Sequence, residues 1–447
     1  WYAHTIPGWL ALALTLVFVL LAIPGNVPAL RRKLVSDAVL AAFRKLLPPM
    51  SQTERDAIEA GTVWWDGELF SGRPDWRRLL DTRYPSLSAE EQRFLDHDVE
   101  ELCAMVTDWE TTQVYRDLPP RVWQFIKDRG FLGMSIAKEY GGLGFSAFAH
   151  SQVMTKLSTH SGTVAVTVMV PNSLGPGELL AHYGTDEQKR HYLPRLAKGL
   201  EIPCFALTNP NAGSDAASIP DFGLVRWGEH EGRRVLGLSV TWDKRYITLG
   251  PVATLLGLAF RAYDPDHLVG DREDIGITCA LIPTSHPGVS IGPTSGKDVF
   301  VPMDWVIGGQ PMLGRGWRML MECLAAGRGI SLPSSATGMA KLAVRAVGGY
   351  ARVRQQFKTP IGKFEGIEEA LTRMGGNLYM MDAARTLTAA AIDLGEKPAV
   401  ISGIAKLHLT ERGRMVVNDG MDIVGGKGIC MGPSNFIGAA YMQMPVS

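Results

Sequence analysis

Twice along these 447 residues the spacing of the apolar side chains changes, and those two changes restrict the folds open to the chain. Helical spacing dominates from Ser88 to Lys198, with a helix start at Ser88-Ala89-Glu90-Glu91 and helix ends at Gly130 and near Gly199. Between Ile202 and Ile307 it gives way to short β-type runs at 224–227, 234–240, 254–262, 276–283 and 298–302, separated by Pro, Gly and Asp. After Gly314 helical spacing returns over 317–326, 332–357, 367–394 and 399–422, four long helices with short links that suggest a bundle. The expectation is a multidomain α+β protein: a helical N-terminal domain over 88–200, a central β domain over 201–308 and a C-terminal four-helix bundle over 309–447.

The start of the chain is of another kind. No charge occurs from Ile6 to Ile23, and Trp9 to Ile23 is almost wholly apolar, close to the roughly 17 to 25 residues of a membrane-crossing helix. Trp1, Tyr2 and Trp9 would sit at one interface, and Arg31, Arg32, Lys33, Arg44 and Lys45 would hold the bulk of the protein on the cytoplasmic side. No positive charge precedes the apolar run, as a cleaved signal peptide would require. Leu34, Val35, Ala38, Val39, Ala42, Phe43 and Leu46 recur at helical spacing, which fits an amphipathic helix on the bilayer surface or a buried core helix. Residues 1–50 are thus expected to anchor the protein in a membrane, with 51–87 as a linker.

Composition removes other classes. Lys and Arg total 45 against 45 Asp and Glu, so no net field draws a nucleic acid. Cys103, Cys204, Cys279, Cys323 and Cys430 are scattered without CxxC spacing and read as buried free thiols in a reducing compartment. His150, His160, His182 and His191 lack metal-ligand spacing, and no metal is expected. Gly142-Leu143-Gly144-Phe145-Ser146-Ala147 matches a dinucleotide pattern, but no buried strand precedes it, so it reads as a loop between helices.

The chemistry concentrates at Cys204-Phe205-Ala206-Leu207-Thr208-Asn209-Pro210-Asn211-Ala212-Gly213-Ser214-Asp215, where a short apolar strand empties into a turn of small, hydroxyl and glycine residues. Such a turn can approach a ligand closely. With Tyr183-Gly184-Thr185-Asp186-Glu187-Gln188-Lys189 upstream, and Lys244-Arg245-Tyr246-Ile247-Thr248 and Arg352-Val353-Arg354-Gln355-Gln356-Phe357 downstream, the order of blocks resembles the acyl-CoA dehydrogenase family over roughly residues 90 to 445.

That resemblance implies a FAD held between the β domain and the bundle, with part of its site supplied by a second subunit of a dimer or dimer of dimers. Phe205, Leu207 and Thr208 match the strand that meets the flavin, Ser214 the hydroxyl near the pyrophosphate, and Tyr246 with Thr248 the pair covering the ring. Arg354 and Phe357 match residues that reach the partner's FAD, as do Gly425 and Gly426 after Asp422. Ser214 and Arg328 are the expected substrate contacts. The family's base is a glutamate, expected here just beyond Ser447, because Gly327 occupies the position a minority of members use and has no side chain. The apolar start together with Val170-Pro171-Asn172-Ser173-Leu174-Gly175-Pro176 is similar to the long FadE-type members. That implies dehydrogenation of medium- or long-chain acyl-CoA in β-oxidation, electrons passed to an electron-transfer flavoprotein, and a place on the cytoplasmic face of a bacterial inner membrane. An acyl-CoA oxidase and a catalytically inactive scaffold of the same fold remain as alternatives.

Overall fold

The computed structural model describes residues 7–51, 55, 58–59, 61–292 and 294–444, and of 324–326 only the backbone. Trp1, Tyr2 and Ile6, expected at the edge of the apolar run, lie outside the described residues. The chain divides into two units, Trp1–Arg55 and Asp56–Ser447.

In the first unit the uncharged run forms α1 (Gly8–Asn26), of mean hydropathy 2.2 and with no buried residue. It is the one helix among the described residues long and apolar enough to cross a membrane. The later stretch at helical spacing forms α2 (Asp37–Leu46), which leaves Val39, Leu40 and Phe43 exposed and carries Arg44 and Lys45 in its last turn, where they complement the helix dipole.

In the second unit Ser88 caps α3 (Ala89–Arg93) with both halves of a capping box, its hydroxyl accepting from Glu91 N–H and its own N–H donating to the Glu91 carboxylate at 2.8 Å. There follow α4 (Val99–Met105), α5 (Pro120–Asp128), α6 (Ala147–Ser158), α7 (Gly162–Met169), α8 (Pro176–Tyr183) and α9 (Asp186–Ala197). The chain leaves α5 and α9 through Gly130 and Gly199, at φ 74° and 63°, a conformation glycine adopts without strain. Phe131, Leu132, Met154, Leu157 and Val168 form the core of this layer.

The β-type stretch folds into one sheet of seven strands: β1 (Pro203–Ala206), β2 (Phe222–His230), β3 (Arg233–Lys244), β4 (Leu255–Tyr263), β5 (Asp274–Pro283), β6 (Val289–Ile291) and β7 (Thr294–Pro302). One edge of β4 pairs with β5 along its length; the other is shared by β1 and β2, both parallel to it. Four of the expected runs lie within longer strands, the run expected over 254–262 is shifted by one residue to 255–263, and Ile291 pairs with Thr294 where β6 turns into β7.

The C-terminal layer consists of α10 (Gly316–Gly329), α11 (Ser331–Val353), α12 (Glu365–Asp393), α13 (Ala399–Val424) and the short α14 (Gly438–Gln443). The helix expected over 332–357 stops at Val353. Thr359 precedes Pro360 and is biased to extended backbone, and Gln355–Gln356 pair with Thr359–Pro360 around Phe357 and Lys358, at φ 52° and 61°. Arg354 and Phe357 therefore stand on a hairpin at the end of the bundle, not on its helix. Another expectation is corrected at Cys430, which is exposed while the other four cysteines are buried. It follows the glycine turn after α13, where Ile429 and Met431 also face solvent.

Candidate active site

β1 leads Phe205 and Leu207, both half-buried, to a turn closed by two hydrogen bonds between Asn209 and Ala212, each 3.1 Å. The Asn209 side chain accepts from Asn211 N–H at 2.8 Å and donates to the Asp221 carboxylate at 3.1 Å and the Asp243 carbonyl at 2.9 Å. Its amide thereby ties the turn to β3. Gly213 stands open, with nothing within 4 Å of a would-be Cβ, and Ser214 beside it is exposed.

At the end of β3, Lys244 is fully buried and its Nζ donates to the Leu207 carbonyl at 2.9 Å and to Asp221 Oδ2 at 2.6 Å. Burial lowers the ammonium pKa, against the pull of Asp221. Next to it Arg245 N–H donates to the Thr208 carbonyl at 3.0 Å. These bonds make one framework of the turn after β1 and the loop after β3, and so bring Phe205, Leu207, Thr208 and Ser214 together with Tyr246 and Thr248. Tyr246 is 91% exposed at φ 59°, a bare aromatic face on a rigid support.

Arg354, Phe357, Gly425 and Gly426 gather at the far end of the bundle. Arg354 N–H donates to the Tyr350 carbonyl at 2.8 Å, and Lys427 Nζ lies 5.9 Å from the centre of the Tyr350 ring, so hairpin and glycine turn meet there. Phe357 is 92% exposed, and Gly425 and Gly426 have open space around them. Ser331, at the other end of α11, contacts Ser173 at 2.6 Å, and the same segment reaches β1 where a Cβ on Gly175 would lie 3.5 Å from Pro203. The 22 residue steps of α11 place about 33 Å between those ends at roughly 1.5 Å per residue. Within one chain the two groups of expected cofactor residues are not brought together.

Arg328, on α10, is half-buried with Nη2 3.8 Å from the Met321 sulfur. Burial lowers its pKa from the ordinary arginine value, yet a guanidinium stays charged near neutral pH. The neighbouring Gly327 is closed to any side chain: a Cβ there would meet Leu174 Cδ2 at 2.6 Å and the Ser173 carbonyl oxygen at 2.8 Å. Glu322, one and a half turns earlier, is no ready base, since it accepts from the Tyr183 hydroxyl and from Arg318 Nε at 2.9 Å. Burial raises its pKa, but those donors hold it below the ordinary value. Among the described residues no cluster of three metal-type ligands occurs.

Two features escaped the reading of the sequence. One is the Lys244–Asp221–Asn209 framework, although the two-residue period of β3 lines Lys244 up with buried Leu238, Val240 and Trp242. The other is a cavity of about 560 Å³ at the start of α10, lined by Arg272, Arg315, Gln310 and Gly314. The β4–β5 pairing brings Gly276 beside Gly314 and so joins stretches that no local signal connects.

Open glycines and bare aromatic faces fit a flat ring joined to phosphates: Tyr246 and Phe357 offer planes, Arg354 a guanidinium, and Gly213, Gly425 and Gly426 close approach of backbone N–H groups.

Family models for the acyl-CoA dehydrogenase N-terminal, middle and C-terminal domains match residues 88–200, 204–299 and 314–447. The chain is 32% identical over 330 residues to the 3-(aryl)acrylate reductase of Clostridium sporogenes, covering 70% of this chain and 81% of that protein. It is 29% identical over 326 residues to the probable acyl-CoA dehydrogenase FadE10 of Mycobacterium tuberculosis, covering 70% of this chain and 48% of that protein. The chain thus spans about half the length of the FadE10 relative. In fold it is similar to the butyryl-CoA dehydrogenase of Megasphaera elsdenii, with TM-score 0.68 at 22% identity over 81% of this chain and 95% of that one. The FAD complex of PigA is similar too, with TM-score 0.67 at 20% identity over 81% and 95%.

Proposed function

Because the chain belongs to the acyl-CoA dehydrogenase family of flavin-dependent oxidoreductases, whose cofactor is FAD, we propose that it oxidises medium- or long-chain acyl-CoA to trans-2-enoyl-CoA in fatty-acid β-oxidation. The observation that carries this reading is the framework around Lys244, which fixes the turn of Thr208 and Ser214 against Tyr246 and leaves both open to a ligand.

FAD, when bound, supplies an acceptor for the β-hydrogen and its electron pair. Leu207, Thr208 and Tyr246 would hold its ring. Arg354, Phe357, Gly425 and Gly426 serve the FAD of a second subunit, which accounts for their standing far from Thr208 in their own chain and makes the working form a dimer or dimer of dimers. Gly327 admits no side chain and Glu322 is engaged, so neither position supplies the base that takes the α-proton. Arg328 and Ser214 hold the thioester part of the substrate. The CoA diphosphate lies at Arg272 and Arg315, where two guanidinium groups flank the start of α10. From Gly316 to Arg328 is about 18 Å at roughly 1.5 Å per residue, a span that the pantetheine arm bridges.

α1 anchors the enzyme, and the basic residues after it keep the catalytic body on the cytoplasmic face of a bacterial inner membrane, near a greasy substrate and an electron-transfer flavoprotein. The test is spectroscopic: purified full chain is yellow, and its flavin bleaches when acyl-CoA is added without oxygen. Absence of flavin, or flavin that no acyl-CoA bleaches, rejects the reading; bleaching with stoichiometric peroxide in air assigns an oxidase instead.

A further inference from the structure

The link between β4 and β5 carries Arg272, and a single buried carboxylate shapes it. Asp264, the first residue after β4, is 0% exposed; its Oδ1 accepts from Leu268 N–H at 2.9 Å and its Oδ2 from Val269 N–H at 2.8 Å. Its own N–H donates to the Glu273 carbonyl at 2.7 Å, which closes the loop at its base. Backbone N–H groups bound to a carboxylate make charge-assisted hydrogen bonds, stronger than those between neutral groups. They hold His267 at φ 53°, a left-handed conformation that a non-glycine residue keeps only where its surroundings enforce it.

Val269, fixed in this way, packs with Ile275 and Leu313 against the core of the sheet. The chain therefore enters residues 270–272 from one set point and leaves them at another, the carbonyl of Glu273. Across the cavity of about 560 Å³, the wall that carries Arg315 needs no such clamp. Gly314 N–H donates to the Thr278 hydroxyl at 2.9 Å, and a Cβ on Gly314 would collide with the Ile275 carbonyl oxygen, so Arg315 follows a stretch already packed on β5. Arg272 and Arg315 are both exposed, and they line the cavity with one acid, Asp271. The placement of Arg272 is thus what Asp264 decides.

We propose that Asp264 is a positioning residue for the CoA thioester: it holds the loop in the shape that brings Arg272 into one cavity with Arg315, ready for a diphosphate before the substrate arrives. The inference rests on the acyl-CoA reading above. A loop already ordered adds affinity, because binding does not have to order it. Asp264 is fully buried and acts through Arg272, so its effect reaches only substrates that carry the diphosphate.

The experiment compares the full chain with its Asp264→Asn variant on octanoyl-CoA and on S-octanoyl-pantetheine, which has the same thioester and arm but no diphosphate. Asn keeps the size of the side chain and loses the charge and one of the two acceptors. KM for octanoyl-CoA should rise roughly tenfold with kcat retained, while kcat/KM for S-octanoyl-pantetheine stays at the parent value. Arg272→Gln should give the same split, and the two substitutions together should be no worse than Arg272→Gln alone, because both act through one guanidinium. Asp264→Ser, which keeps one acceptor, covers the case in which the Asn variant does not fold. Equal slowing of both substrates, an unchanged KM, losses that add, or failure of both Asp264 variants to fold overturns the inference and leaves the dehydrogenase standing. A flavin-loaded parent that turns over neither substrate refutes the dehydrogenase itself.

Discussion

Lys244 and Asp221 form an ion pair of 2.6 Å with side-chain exposures of 0% and 1%, and the same ammonium holds the carbonyl of Leu207 at 2.9 Å. The pair links the exit of β1 to the end of β3. Removing one member of a buried pair strands the other charge, which typically costs about 3–5 kcal/mol. Lys244→Met should therefore destabilise the protein by about that amount in urea unfolding and reduce retained FAD. Replacing Lys244 with Met and Asp221 with Leu together should recover much of the stability but not the FAD affinity, because the tether on Leu207 stays lost. A double variant with full FAD affinity would remove Lys244 from the proposed site.

Gly327→Glu tests the closed position on α10. A Cβ would lie 2.6 Å from Leu174 Cδ2 and 2.8 Å from the Ser173 carbonyl oxygen, both on a well-packed turn. Overpacking of this kind costs about 1–3 kcal/mol. A lower melting temperature and no gain in turnover are expected, measured with octanoyl-CoA. Higher turnover would show that the turn gives way and that a base can act from this helix.

His150 predicts an acid sensitivity of the fold. Burial pushes its pKa down to about 4 from an ordinary 6.5, so the folded protein keeps the imidazole neutral over a range in which the unfolded chain binds a proton. Stability from this residue is complete above about pH 6.5 and declines as pH falls toward 4, by about 3 kcal/mol in all at 1.36 kcal/mol per unit. Its ring lies 3.4 Å from the Ser331 hydroxyl, which contacts Ser173 at 2.6 Å, so the charged form would enter the junction of α6, α7 and α11. His150→Gln should flatten the slope of unfolding free energy against pH between 4 and 6.5, read from urea titrations.

Tyr246→Ala and Phe357→Ala should separate cofactor affinity from stability. With exposures of 91% and 92% neither ring is buried, although Phe357 meets Phe364 edge-on at 6.4 Å, and the FAD-free protein should change by no more than about 1 kcal/mol. If each ring covers FAD, both variants lose it more readily on dilution, by roughly tenfold in dissociation constant at about 1.4 kcal/mol for an aromatic contact. Unchanged FAD retention in both would leave those faces for another partner.

Removal of residues 1–50 should release the protein from washed membranes into the soluble fraction while its flavin spectrum is kept. Full chain that is soluble without detergent would contradict the proposed anchoring by α1, whose Phe18, Leu20 and Leu21 are all at least 70% exposed.

Whatever follows from neighbours in the chain was legible before any coordinates. Apolar spacing marks α1, the helices from α3 to α9, the strands and the bundle, because a helix or strand must turn its apolar positions to one side whatever it later packs against. Glycine announces the ends at Gly130, Gly199 and Gly425, because only the backbone conformation is at stake there. At the end of α11 the apolar spacing runs on through Phe357, but the helix stops at Val353 because the pairing of Gln355–Gln356 with Thr359–Pro360 outweighs that spacing. What tertiary structure alone decided are contacts between distant stretches: Lys244 with Asp221 and Leu207, Gly327 against Leu174, and Arg272 beside Arg315. Those depend on how strand edges and helix faces meet in space, and burial, which turns a lysine into a tether and a glycine into a closed door, exists only after they have met.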